Sequence, residues 1–368
     1  MDEQQADPSP AVAPEPVFAE RPAEDGSLAD EALMQRRISD LGLKIEGTRL
    51  EPLVRQLYAE LEQAGIDLKP PVYLADEWGC PEGMPIIGIP FYLADERLTR
   101  IEDRMMEGVE AESDRDILRY LRHEAGHAFN YAYRLFETEA WHEAFGPYSR
   151  PYREDYRPNP FSRDFVRHIA GWYAQKHPDE DFAESFAVWL TPGLDWRSAY
   201  AGWGALRKLD YVDRIVRELG RTPPPVTAEG YDPGGELDYS IAEHYRRFGY
   251  QPLEVPAYFD GDLKDLFEAA PPADAAGETE PAADAAGETE PAADFLRRHR
   301  RALVDNISYW TGLHEGIVRS LIDHFIGRCG ALDLHARRDA AAALLTELTA
   351  YATTLCMNRL YKGDFIIK

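Results

Sequence analysis

The segment His123-Glu124-Ala125-Gly126-His127 holds the residue types that metal-assisted hydrolysis needs. On an α-helix, residues four apart share a face, so two imidazoles at this spacing can grip one divalent cation. Glu124 lies between them in sequence and can take a proton from a water held by that cation. Two neutral nitrogen donors suit zinc, which takes three protein ligands at a hydrolytic site and keeps a fourth position open.

The spacing works only on a helix, and the flanking sequence supplies one over residues 114–136. Ser113 followed by Asp116 has the form of a helix-start cap with acidic groups in the first turn. Leu121, Ala125, Ala128, Phe129 and Ala132 make an apolar stripe. Gly126 is a poor helix residue, and its use would be to let another element pass close to the metal helix.

That helix supplies two ligands. Asn130 and Tyr133 stand where a third histidine would follow in the longer spaced motif, so the third ligand comes from elsewhere. The candidate segment is Asp179 to Ala187, with Pro178 and Asp179-Glu180-Asp181 suited to a helix start. Glu180 and Glu184 are four apart and flanked by small Ala183 and Ala187. One carboxylate can bind zinc, and the other can accept the second ring proton of a ligand histidine. Spacing alone leaves both assignments open.

The pair of motifs, His-Glu-x-x-His and then Phe182-Ala183-Glu184-Ser185-Phe186-Ala187, resembles the glutamate-type zincin metallopeptidases, or gluzincins. Within that group it is similar to lethal-factor-like zinc peptidases and to a set of bacterial zinc-binding metallopeptidases. The resemblance covers residues 70–220 at most. It implies an α+β, zincin-like fold: a small mixed sheet, an active-site helix carrying the motif and a second ligand helix. It also implies one Zn²⁺ held by His123, His127 and Glu180, with Glu184 orienting a histidine or, alternatively, serving as the ligand. Glu124 is then the general base, and Tyr173, seven residues before Glu180, donates to the oxyanion. The implied activity is cleavage of a peptide or amide bond in a peptide or protein substrate. The alternative is a zinc-containing peptide-binding or regulatory protein without catalysis. Tyr148, Tyr152 and Tyr156 read as surface or packing tyrosines, and His168 and His177 as structural or solvated histidines or as oxyanion donors.

The elements around this centre follow from composition. Residues 1–30 are rich in Pro, Ala and acidic groups and read as a disordered tail; the zincin-like domain spans 31–260. Within it, Leu50 to Ala64 has helical spacing, Pro71–Leu74 and Met84–Leu93 read as strands, and helices fall near 196–219 and 236–247. The second strand contains Pro85 and Pro90, which suits a sheet edge where an extended peptide could add. The tyrosine-rich stretch 145–176 is a candidate lid. Residues 261–294 read as an acidic linker containing a near-exact ten-residue duplication, Pro-Pro-Ala-Asp-Ala-Ala-Gly-Glu-Thr-Glu and then Pro-Ala-Ala-Asp-Ala-Ala-Gly-Glu-Thr-Glu. Residues 295–368 read as a helical C-terminal unit, a possible site for a protein partner, opened by the Arg297–Arg301 cluster.

Charge narrows the partners. The chain has 66 acidic and 40 basic residues, a net charge of −26. Phosphate-rich partners would be repelled, so neither nucleic acid nor membrane is expected. Cys80, Cys329 and Cys356 form no disulfide framework and no paired metal spacing. With no signal peptide pattern at Met1 and no apolar run of about 18 residues, the expected location is cytoplasmic.

Overall fold

The computed structural model describes residues 26–106, 113–153, 156, 158–248, 259–270, 289–313 and 315–365. The fold is mostly helical, with two small sheets. Among the described residues no helix is long and apolar enough to cross a membrane. The expected tail at 1–30 lies outside them up to residue 25, and its last residues open helix α1 (Gly26–Met34). Asp30 on α1 pairs with Arg97 and Arg104, which ties it down.

Helix α2 (Leu50–Gln63) forms because Leu50, Leu53, Val54, Leu57 and Leu61 recur on one buried face. It ends at Gly65, whose φ of 88° only glycine adopts readily. Strands β1 (Val72–Ala75) and β2 (Ile87–Pro90) pair in parallel, with Val72 opposite Ile87. The strand expected over Met84–Leu93 is therefore shorter: Phe91–Ala94 turns into a 3₁₀ helix. Its outer edge is also not open along its length. The Gly88 amide donates to the Gly79 carbonyl at 2.7 Å, so the 77–80 segment covers the place where a peptide strand would add.

Helices α3 (Glu96–Met105), α4 (Asp114–Ala132) and α5 (Glu139–Phe145) follow, then α6 (Pro178–Leu190). The helix expected over 196–219 is two, α7 (Trp196–Ala199) and α8 (Leu206–Leu219). The turn between them carries Gly202 at φ 76° and Gly204, where an added Cβ would strike Asp164. Helix α9 (Ile241–Phe248) completes this part. One core joins α2, β2, α4, α6 and α8. A buried bidentate pair, Arg122 to Glu60 at 2.7 and 2.8 Å, fixes α4 on α2.

The stretch expected as linker, 261–294, carries structure at both ends. Helix α10 (Asp260–Leu266) and strand β3 (Glu268–Ala269) occupy its start, and strand β4 (Thr289–Pro291) leads into helix α11 (Ala292–Thr311) at its end. Phe259, Leu263 and Phe267 explain the difference: three apolar groups in an acidic surround are enough to seat α10 on the C-terminal core. Most of the duplicated acidic segment, 271–288, lies outside the described residues. Helix α12 (Glu315–Ala331), strand β5 (Leu334–Arg337) and helix α13 (Ala341–Lys362) follow. The strands form an antiparallel ribbon in the order β3-β5-β4. Leu321, Phe325, Leu348 and Leu355 fill the interior of this helical unit. The Arg297–Arg301 cluster is spent on local carboxylates: Arg298 on Glu290, Arg297 on Asp294, Arg300 on Asp323.

Candidate metal centre

Helix α4 starts where the sequence says it should. The Ser113 hydroxyl accepts from the Asp116 amide at 3.2 Å, with Asp114 and Asp116 in the first turn. Ile117, Leu121, Ala125, Ala128 and Phe129 are fully buried, turning the helix so that His123, Glu124 and His127 face a cleft of roughly 1280 Å³. Helix α6 is capped by His177, whose Nδ1 accepts from the Asp179 amide at 3.2 Å and whose Nε2–H donates to the Arg150 carbonyl at 2.8 Å. His168 likewise donates its Nε2–H to the Arg119 carbonyl at 3.0 Å. Both histidines therefore have Nε2 engaged by a backbone carbonyl.

Gly126 meets the expectation of a close approach. A Cβ there would lie 2.8 Å from Ala183 Cα and 3.1 Å from Phe186 Cβ, so α6 passes directly over α4 at this point. The contact brings Glu180 to the two histidines. His123 Nε2 and Glu180 Oε2 are 3.0 Å apart, His127 Nε2 and Glu180 Oε2 3.1 Å, and the two Nε2 atoms 3.1 Å. Among the described residues this is the group of acidic, histidine or cysteine side chains placed to hold an ion.

The donor set fits zinc. Bonds of about 2.0–2.1 Å to a tetrahedral ion put ligand atoms about 3.3 Å apart, close to the triangle observed. Two nitrogens facing each other inside a buried site also need a proton or a cation between them. Both imidazoles have a carboxylate near the other nitrogen, and the His123 contact is a hydrogen bond whereas the His127 contact is a close approach without one. His123 Nδ1 donates to Glu184 Oε1 at 3.0 Å, and His127 Nδ1 lies 3.1 Å from Asp179 Oδ2. Glu184 also accepts the Ile169 amide at 2.9 Å, and Asp179 accepts from Asn130 at 2.7 Å and from Tyr131 at 2.6 Å.

Without a metal, burial opposes charge on His123, but its hydrogen bonds to Glu180 and Glu184 outweigh that and raise its pKa to about 9. Glu180 shows the converse: burial disfavours its charge, yet the two histidines hold it well below the ordinary carboxylate range. Asp181, one residue further, is pushed up to about 7 by burial in spite of its ion pair with Lys208 at 2.5 Å.

Tyr173 reaches the same centre. Its ring lies 5.6 Å from that of His123, and its hydroxyl 3.1 Å from that of Tyr152. Burial, with the Glu180 and Tyr152 oxygens beside it, raises its pKa far above that of a free phenol, so it stays a donor. Tyr152 is a difference from the sequence reading. Its hydroxyl donates to Glu180 Oε1 at 2.8 Å, and the Lys176 ammonium sits 4.5 Å from its ring centroid. Asp179 is the other residue missed; its place in an acidic first turn hid its contact with His127. Of the remaining tyrosines, Tyr156 donates to the Gly171 carbonyl at 2.5 Å and Tyr148 packs edge-on against His177.

Residues 93–200 match the family model described as "Putative zinc-binding metallo-peptidase". The match supports a zinc metallopeptidase and spans both α4 and α6. No curated protein and no solved structure matches the chain.

Proposed function

We propose that this chain is a zinc-dependent peptidase or amidase with a zincin-like centre. His123, His127 and Glu180 hold one Zn²⁺, Glu124 is the general base, and Tyr173 is the oxyanion donor. The observation that carries this reading is the buried triangle of two imidazole nitrogens and one carboxylate oxygen, with edges of 3.0 to 3.1 Å.

Bound zinc supplies a water acidified towards a pKa of about 7 and a Lewis acid for the scissile carbonyl. Glu124, which lines the cleft beside His123 and His127, takes a proton from the attacking water and passes it to the leaving amine. Tyr173 donates its O–H to the carbonyl oxygen as that oxygen gains charge. Glu184 keeps the His123 imidazole in one tautomer and orientation, and Asp179 places a negative charge beside His127. Tyr152 holds one oxygen of Glu180 and leaves the other to the metal. The cleft volume of roughly 1280 Å³ exceeds the about 300–1,000 Å³ of ordinary small-molecule sites, which supports a peptide or protein substrate.

A binding protein needs the ligands but not a base on the same helix turn, so Glu124 favours catalysis over the binding-only reading. The test is a peptide-library digest read by mass spectrometry, with Glu124→Gln as the control. The variant should keep one zinc and lose about 10²- to 10⁴-fold in turnover. Equal cleavage by both proteins removes Glu124 from the mechanism. No cleavage by zinc-loaded wild type favours the binding protein.

A further inference from the structure

The reaction above makes no use of the C-terminal helical unit, yet that unit touches the metal centre at one remove. The contact is the tip between α11 and α12. Gly312 caps α11 at φ 75°, and a Cβ there would lie 2.3 Å from Trp172 Cδ1 and 2.8 Å from Pro158 Cγ. The Trp172 indole is thus packed directly on the tip backbone. The Arg167 guanidinium lies over the same ring, 3.8 Å from its centroid.

Trp172 itself has φ 58°, a left-handed conformation unusual for a bulky residue. Such a conformation persists only where its surroundings impose it. Those surroundings are the tip, Arg167, and the Tyr156 hydroxyl on the Gly171 carbonyl. The residue that follows the strained one is Tyr173, which opens the 3₁₀ turn Tyr173–Gln175. Leu313 and Gly316, beyond Gly312, line the same cleft as Glu124 and Tyr173. Further contacts hold the unit in place: Arg319 donates to the Met106 carbonyl at 3.1 Å, and Arg301 lies 3.8 Å from Asp116 at the start of α4.

We propose that the α11–α12 tip is a positioning element for Tyr173: by clamping Trp172 it holds the Gly171–Trp172 turn that aims the phenol at the cleft. The inference rests on the hydrolase reading above. The C-terminal unit thereby becomes part of the catalytic apparatus without contributing a group to the reaction.

The test uses the full chain with Gly312→Asn, Tyr173→Phe and the double variant. Asparagine tolerates the left-handed conformation, so the substitution adds bulk at the clamp with little backbone penalty. All three proteins should bind one zinc. Gly312→Asn should lose about 10- to 100-fold in kcat with KM nearly unchanged, as expected of a misplaced donor. Tyr173→Phe should lose about 10²-fold, and the double variant no more than that, since both changes remove one interaction. Amide hydrogen exchange over residues 169–176 should rise in Gly312→Asn while α4 stays protected. Should Gly312→Asn not fold, Trp172→Phe loosens the same clamp and should show the same pattern. Multiplied losses in the double variant, or raised exchange with unchanged kcat, overturn the proposal. If wild type cleaves no peptide, the hydrolase reading fails separately, and unchanged exchange at 169–176 overturns the clamp on its own.

Discussion

The α4–α6 pair and the C-terminal helical unit bury their interiors by opposite means. Between α4 and α6 lie His123, His127, Asp179, Glu180 and Glu184, all below 9% exposed. In the C-terminal unit the interior is Leu321, Phe325, Leu348 and Leu355, and its buried hydroxyls on Thr311 and Ser320 bond back to carbonyls of their own helices. An apolar interior is stabilised by area removed from water and tolerates imprecise partners. A charged interior persists only when each group has a partner in good geometry. A metal at the candidate site would therefore help stabilise the first region and leave the second unaffected.

Three substitutions sharpen this contrast. The largest effect is expected from Phe325→Ala, a loss of about 3–5 kcal/mol in the stability of the C-terminal unit by urea denaturation, with zinc content unchanged. Loss of zinc in that variant would mean the two interiors are not separate. Asp179→Asn should act the other way round, with zinc affinity down about 10- to 100-fold in a chelator competition and little change in C-terminal stability. Wild-type affinity in Asp179→Asn would leave Asp179 as a helix-start acid and nothing more. The smallest effect is Ser113→Ala, which removes the α4 cap and should lower the stability of the first region by about 1 kcal/mol, read from its thermal midpoint. A midpoint unchanged from wild type would assign the start of α4 to tertiary packing instead.

The same contrast explains what could be read from sequence. The metal helix was legible because four-residue spacing and an apolar stripe are local signals, and Ser113 and Gly126 behave in the structure as their types suggest. Glu180 and Glu184 were legible as a pair. Their separate contacts, one with both histidines and one with the Ile169 amide and His123, depend on how α6 crosses α4. Asp179 and Tyr152 escaped because neither has a periodic signature: one is an acid among acids at a helix start, the other a tyrosine in an irregular stretch. The cover on the β2 edge was not legible because the segment around Gly79 that pairs with Gly88 has no strand pattern of its own. Helix α10 was lost in a compositional average, where three apolar residues counted for little against many acids.

Lys208 and Asp181 lock the ligand helix to α8 through an ion pair, both side chains at 3% exposure or less. Swapping only the lysine for a neutral residue would leave a buried carboxyl group next to Glu180 without its cation and would also take the donor from the Asp164 carbonyl. A change at α8 that broke this pair would therefore reach the candidate metal site through α6, where Glu180 is the neighbour of Asp181.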